Sequence, residues 1–274
     1  MIEKTKLSEI MKKHKEWLDS DGREGERASF FGADLRWNDF RGFDLRKVNF
    51  DYSDLRWSNL SNIDLRETDF EGAKFAHSDL SMTNLSGLDL SYDETGDIAP
   101  LDFSDCDMRG ADFSESILCD VNFHSSNLGG VNFSNSDLSN AIMQHSDVRG
   151  TNFYNADLSG VDLRYVRFGN TRMQGADLTS ACFLFSDIDN QSLEGAMVDG
   201  LKIKSVISVG PIGSNQDYFV IVETDADLFF SIGGIFSGNL KALENASLSK
   251  KYSHFNNVEY RAVIEMAKTI FRKE

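Results

Sequence analysis

Large apolar residues recur at every fifth position through the middle of this chain. Starting at Phe30, a step of five meets Leu35, Phe40, Leu45, Phe50, Leu55, Leu60, Leu65, Phe70, Phe75, Leu80, Leu85 and Leu90. The register slips by three residues through 91–102, resumes at Phe103 and runs on to Leu193 and Val198. All 33 positions hold Leu, Phe, Met, Ile or Val, and the residue two before is Ala, Ser, Thr, Val or Cys at 27 of them. The residue just before each apolar centre is usually Asp or Asn, as in Asp34, Asn49 and Asn132, and Gly recurs two places after it, as at Gly32, Gly110 and Gly150.

A period of five matches neither the 3.6 of an α-helix nor the alternation of a strand. It matches a backbone that turns a corner every five residues, with the centre and the small residue two before it pointing inward. Gly and Asn at the corners tolerate left-handed backbone angles. Four corners close a square coil of twenty residues, and coils stack at about 4.8 Å. Each coil buries its interior only against its neighbours, so stability accumulates along the rod.

These residues resemble the pentapeptide-repeat family, whose pattern reads A(D/N)LXX. Close copies are Ala33-Asp34-Leu35-Arg36, Ala111-Asp112-Phe113-Ser114, Ala156-Asp157-Leu158-Ser159 and Ala176-Asp177-Leu178-Thr179. The resemblance implies an all-β solenoid, a right-handed quadrilateral β-helix, over residues 28–203. Its eight and a quarter coils make a rod of roughly 40 Å.

The flanks obey other patterns. Leu7, Ile10, Met11, His14, Trp17 and Leu18 share one helical face that ends at Asp21-Gly22, so residues 1–27 are expected to form a helical cap. Gly210-Pro211 marks a turn beyond the last repeat, and Gly233-Gly234 and Gly238 also read as turns. Residues 217–222 and 228–232 read as strands. Tyr260, Val263, Ile264, Ala267 and Phe271 share a helical face. Residues 204–274 are thus a small α+β region, expected to cap the rod or to join two copies as a homodimer. The break at 91–102 is expected to bulge as a loop.

Charge adds a second asymmetry. Residues 1–27 and 204–274 are each neutral, while 28–203 carry 29 acids and 13 bases, the whole net charge of −16. Such a surface repels nucleic acid and most membranes and attracts basic clefts. Neither an apolar stretch of eighteen residues nor a signal peptide is present, so the cytoplasm is the expected address. Cys106, Cys119 and Cys182 form no CxxC pair. His14, His77, His124, His145 and His254 lack metal-ligand spacing, and no phosphate-binding or nucleophile motif occurs. Neither a cofactor nor catalysis is expected.

Stepping by twenty, Asp137, Asp157 and Asp177 form one column, and Asp107, Asn127, Asp147, Arg167 and Asp187 another on the opposite side. Residues 93–120 hold nine acids and one base. The residues expected to meet a partner are therefore Asp93, Glu94, Asp97, Asp102, Asp105, Asp107, Asp112, Asp137, Asp147, Asp157, Asp177 and Asp187. Regular carboxylates on a stiff rod can imitate duplex DNA. The family resemblance implies DNA gyrase or topoisomerase IV as the partner, with a helical cap and a C-terminal region that depart from the quinolone-resistance type. A phage-type decoy of a defence nuclease, or an interaction scaffold working through 204–274, is the alternative. Asp and Asn before the centre also serve local turn hydrogen bonds, so part of the columns is a requirement of the fold.

Overall fold

A computed structural model describes residues 2–90, 100–183, 186, 193, 196–198, 201–212, 217–224, 228–232, 236–239, 241–242, 262, 264–266 and 269. The coil forms as the period demands, a right-handed quadrilateral β-helix. Most sides contribute a parallel bridge per coil, joining residues twenty apart such as Asp34 to Asp54 and Asp137 to Asp157. Two backbone bonds serve each bridge: Phe50 N–H donates to Asp69 O at 2.8 Å and Asp69 N–H to Val48 O at 3.1 Å. A turn closes each corner, as where Ser53 N–H donates to Phe50 O at 2.9 Å.

Among the described residues the third residue of each such turn has positive φ, the type II pattern. Glycine occupies it at Gly32 or Gly130, yet Trp37 (φ 64°), Tyr52 (58°), Glu67 (65°) and Glu115 (59°) adopt it too. The ladder of bonds above and below holds these side chains in a conformation that costs an L-residue about 1–2 kcal/mol.

Inward, the centres form ladders of their own. On the side begun by Phe30, the rings of Phe30, Phe50 and Phe70 stack at 5.4 and 5.8 Å. Phe113, Phe133 and Phe153 repeat the stack at 5.3 and 5.4 Å. Phe40 meets Phe50 edge-on across the interior, from the opposite side. A fully buried Phe contributes roughly 1.5–3 kcal/mol over an exposed one. The small position is mostly buried too: Ser116, Ser126 and Ser136 there donate to backbone carbonyls, whereas the hydroxyls of Ser53, Ser58 and Ser146 find no partner. Cys106 fills the same position; burial pushes its thiol up to about 12, and Sγ donates to Phe75 O at 3.1 Å.

Across the break, Lys74 bridges Asp102 and Asp89 bridges Ile117, so this coil takes 28 residues where the others take twenty. The slip of three is thus an insertion of eight, five of which hide inside the period. Residues 91–99, the expected loop with Asp93, Glu94 and Asp97, lie outside the described residues, as does Asp187.

Helix α1 spans Lys4–Asp19 and buries Leu7, Met11 and His14. Leu7 and Met11 join the core that begins with Ala28 and Phe30. Gly22 N–H donates to Trp17 O at 2.8 Å with Asp21 and Gly22 at positive φ, the stop expected at that pair.

At the far end β1 (Met197–Val198) continues the coil, since Met197 bridges Asp177. It pairs antiparallel with β2 (Leu201–Ile212), and β3 (Asp217–Thr224), β4 (Leu228–Ile232) and β5 (Phe236–Asn239) extend the same meander in order. The strands expected at 217–222 and 228–232 are there. The turn expected at Gly210-Pro211 is not: both residues lie within β2, where the register shifts between Val209 and Ile212. A bulge is where a strand tolerates proline. Gly238 is likewise in β5, paired with Phe230, and not in a turn; a Gly inside a strand is no breaker when its neighbours pair. Helical backbone appears at 262, 264–266 and 269, with Ile264 buried. Tyr260, Val263, Ala267 and Phe271 of that expected helix, and Gly233-Gly234, lie outside the described residues.

Candidate partner-binding face

The carboxylates are placed by the turns. Nearly every described Asp or Asn before a centre turns its Oδ1 back onto the backbone amide two residues on; at Asp69 the Glu71 amide donates to Asp51 Oδ1 instead. Asp137 accepts from Ser139 at 2.9 Å, Asp157 from Ser159 at 2.8 Å and Asp177 from Thr179 at 2.9 Å. Asp102 and Asp112 accept from Ser104 and Ser114 at 3.0 Å each. The fold therefore asks for an acceptor here, and Asn serves as well: Asn132 accepts from Ser134 at 3.2 Å. It does not ask for charge.

The residue immediately after the centre decides whether that charge is neutralised. Where it is Arg, its guanidinium folds back onto the same Asp. Asp34–Arg36, Asp39–Arg41, Asp44–Arg46, Asp54–Arg56 and Asp64–Arg66 make this pair at 2.6–2.8 Å. Asp107–Arg109, Asp147–Arg149 and Asp162–Arg164 repeat it at 2.6 Å. The Arg41 side chain holds the Asp39 carboxyl at about 2. At Asp162 burial opposes ionisation, and the hydrogen bonds from Arg164 and Gln144 outweigh it, leaving the carboxyl below its usual range. Where it is Ser or Thr, no cation folds back.

Sorting residues by the bridges gives four faces, numbered from the sides centred on Phe30, Leu35, Phe40 and Leu45. Residues 28–90 and 100–183 carry 22 acids and 12 bases, net −10. The second face has five acids and four bases, the third four and four, the fourth five and four. The first has eight acids (Asp51, Asp69, Glu71, Asp89, Asp120, Asp137, Asp157 and Asp177) and, among the described residues, no Lys or Arg. Of the net −10, this face supplies −8. Arg27, from beside the cap, reaches Asp69 at 2.7 Å.

The column of Asp137, Asp157 and Asp177 thus stands on the acidic face, as the twenty-residue step implied. The opposite column also forms, with Asp107, Asn127, Asp147 and Arg167 bridged in turn, yet both of its described acids are paired with arginine. Arg109 covers Asp107, while Arg149 and Arg167 both close on Asp147, whose side chain is only 7% exposed. Asp102 and Asp105 stand on the second face and Asp112 on the fourth, so the twelve acids do not share one surface. The twenty-residue step did not join Asp51, Asp69, Glu71 and Asp89 to this column, because the 28-residue coil breaks it between 89 and 117; Asp120 lies beyond the break but three residues off the column.

The remaining polar chemistry is sparse. His124 and His145 do approach, with rings 5.5 Å apart, and His145 stacks on Tyr165 at 4.7 Å. Among the described residues no group of three His, Cys, Asp or Glu is arranged to hold a metal ion. No described helix is long and apolar enough to cross a membrane.

A family model of pentapeptide repeats matches residues 28–66, 53–91, 101–135, 116–155 and 156–195, more than half of the chain. The chain belongs to the pentapeptide repeat family. Members of this family are in general structural or binding proteins. Among solved pentapeptide repeat structures, the chain is similar to QnrB1, a plasmid-mediated fluoroquinolone resistance protein, at 21% identity over 64% of this chain and 87% of that one, with a TM-score of 0.36. It is similar to HetL of the cyanobacterium Nostoc, involved in heterocyst differentiation regulation, at 19% identity over 73% and 99% of the two chains, with a TM-score of 0.30. Rfr23 of the cyanobacterium Cyanothece is 22% identical over 44% and 87%, with a TM-score of 0.28. None of the curated proteins matches the chain in sequence.

Proposed function

We propose that this pentapeptide repeat protein is a non-enzymatic, cytoplasmic binding protein whose first face occupies the DNA-binding groove of a DNA-handling enzyme, DNA gyrase or topoisomerase IV. The observation that carries the reading is the segregation of charge. Eight carboxylates lie on one face with no cation of that face beside them, while the other faces neutralise themselves with Asp–Arg pairs.

The density of charge fits. These eight acids occupy seven coils. At about 4.8 Å per coil that is one charge per ~4 Å of rod, against about 3.4 Å per phosphate along one DNA strand. A basic groove shaped for phosphates gains the same counterion-driven attraction from such a rod, and the rod itself does not bind nucleic acid. A homodimer through 204–274 would double the track. A supercoiling assay tests the reading: wild type is expected to inhibit gyrase or protect it from a poison at micromolar concentration. Asp137→Asn/Asp157→Asn/Asp177→Asn is expected to lose the effect. No effect of wild type on either topoisomerase would sink it.

A scaffold acting through 204–274 is the second reading, favoured by the turn bonds that already account for an Asp or Asn before each centre. A folded deletion of 204–274 that keeps partner binding excludes it. A defence nuclease recovered by capture from a bacterial extract would redirect the first reading to that target.

A further inference from the structure

Phe31 and Tyr52 stand together at the N-terminal end of the acidic face, both outside the interior that the centres fill. Phe31 is 64% exposed and Tyr52 46%. At the equivalent place on this face the other coils hold acids, hydroxyls or a thiol: Asp51, Glu71, Cys119, Ser139, Ser159 and Thr179. Phe31 alone is apolar.

Tyr52 is held where it is. It takes a corner position at φ 58°, which disfavours a bulky side chain. Its ring lies over Gly72, where a Cβ would stand 2.8 Å from Tyr52 Cδ1. Its hydroxyl donates to Glu71 Oε1 at 2.5 Å. The Phe31 ring packs against it with centroids 5.4 Å apart. An aromatic pair is thereby fixed in water beside Asp51, Asp69 and Glu71, with its ordering cost already met in the free protein.

We infer that Phe31 and Tyr52 are an apolar anchor for the basic protein received on this face, supplying binding that salt does not screen. The inference rests on the reading of the first face as a docking surface for a DNA-binding groove. Carboxylates steer such a partner and set the salt dependence, whereas buried aromatic anchors set how slowly it leaves. A second copy of this chain is a poor occupant, because it would bring its own eight carboxylates against these.

The test measures binding of the full chain to intact DNA gyrase by surface plasmon resonance from 0.05 to 0.5 M KCl. Phe31→Ser/Tyr52→Asn, in which Asn accepts the left-handed corner, is expected to bind about tenfold or more weaker at every salt concentration, through faster dissociation. Its salt slope should match wild type. Asp137→Asn/Asp157→Asn/Asp177→Asn should flatten the slope instead. The single change Phe31→Ser, at an exposed position, serves if the double variant has a lowered urea midpoint. Wild-type affinity in the aromatic variants, with binding by wild type intact, overturns the anchor alone. Absence of wild-type binding at 0.05 M KCl overturns the reading of the face and the anchor together.

Discussion

His14 Nδ1 accepts the backbone amide of Ala28 at 3.1 Å, and this bond fixes both the tautomer of the ring and the seat of helix α1. With Nδ1 an acceptor, the ring proton is on Nε2, which donates to Arg46 O at 3.0 Å. The ring is fully buried, stacks on Trp17 and ties the cap to both ends of the first coil. A protonated ring would carry two donors and set one against the Ala28 N–H. Burial lowers the His14 pKa below its ordinary value; the Arg46 carbonyl and Asp44 oppose that shift and Arg27 adds to it.

Stability should therefore depend on pH in a stated direction. The unfolded chain binds a proton at His14 near pH 6.5 while the folded chain resists it, so the contribution is complete above about 6.5 and is lost as pH falls toward the lower folded value. In thermal melts from pH 7.5 to 5, wild type is expected to lose stability as pH drops. His14→Phe should start lower and show a shallower slope over the same range. Parallel slopes would exclude His14 as the source.

Ser53 carries a buried hydroxyl without a partner, between Ala33 and Ala73 in the same inward file. An unsatisfied buried hydroxyl costs about 1–3 kcal/mol. Ser53→Ala removes it and leaves a side chain of nearly the same volume, so the urea midpoint should rise by an amount equivalent to about 1 kcal/mol. A fall would mean that the hydroxyl is satisfied in solution.

Corner residues separate backbone strain from packing. Gly130 (φ 71°) has no atom within 4 Å of where a Cβ would stand, so Gly130→Ala meets no clash and reads the conformational cost alone. A loss of about 1 kcal/mol is expected. The reverse change, Glu115→Gly at φ 59°, should gain stability by up to about 1 kcal/mol, reduced by the greater freedom of Gly in the unfolded chain. Equal and small effects at both sites would show that the coil absorbs a left-handed side chain without strain.

The coil was legible because a period of five fits a backbone that corners every five residues, and Phe30 to Leu90 and Phe103 to Val198 keep it on either side of one break. The corners were legible only in part. Gly32 and Asn135 advertise left-handed angles, but nothing in Trp37 or Glu67 does; their φ is imposed by the coils on either side. The acidic face was half visible for a similar reason. Asp137, Asp157 and Asp177 fall twenty apart, as do Asp51 and Glu71 and also Asp69 and Asp89, but a coil of 28 hides that the two sets share a face. Pairing was visible as Asp-x-Arg at Asp107 and Asp147, yet its meaning needs both side chains to be outward on one corner. Pro211 misled because a bulge admits a residue that a regular strand rejects.

Charge at Asp137, Asp157 and Asp177 can be separated from the turn bonds that these side chains make. Asn keeps the Oδ1 acceptor for Ser139, Ser159 and Thr179, so the turn bonds survive Asp→Asn at all three sites. Repulsion between like charges on adjacent coils, near 1 kcal/mol per pair in water at about 5 Å, disappears. The triple Asn variant should therefore be more stable than wild type in 0.01 M salt, where the screening length is about 30 Å, and nearly equal to it in 1 M, where it is about 3 Å. Asp→Ala at the same sites should be less stable at both, by about 0.5–1.5 kcal/mol for each turn bond lost. Urea denaturation of the three proteins at the two salt concentrations separates these contributions. If the Asn variant is instead the weaker at low salt, the carboxylates are there for the coil, and the case for a surface displayed to a DNA-binding groove loses its physical basis.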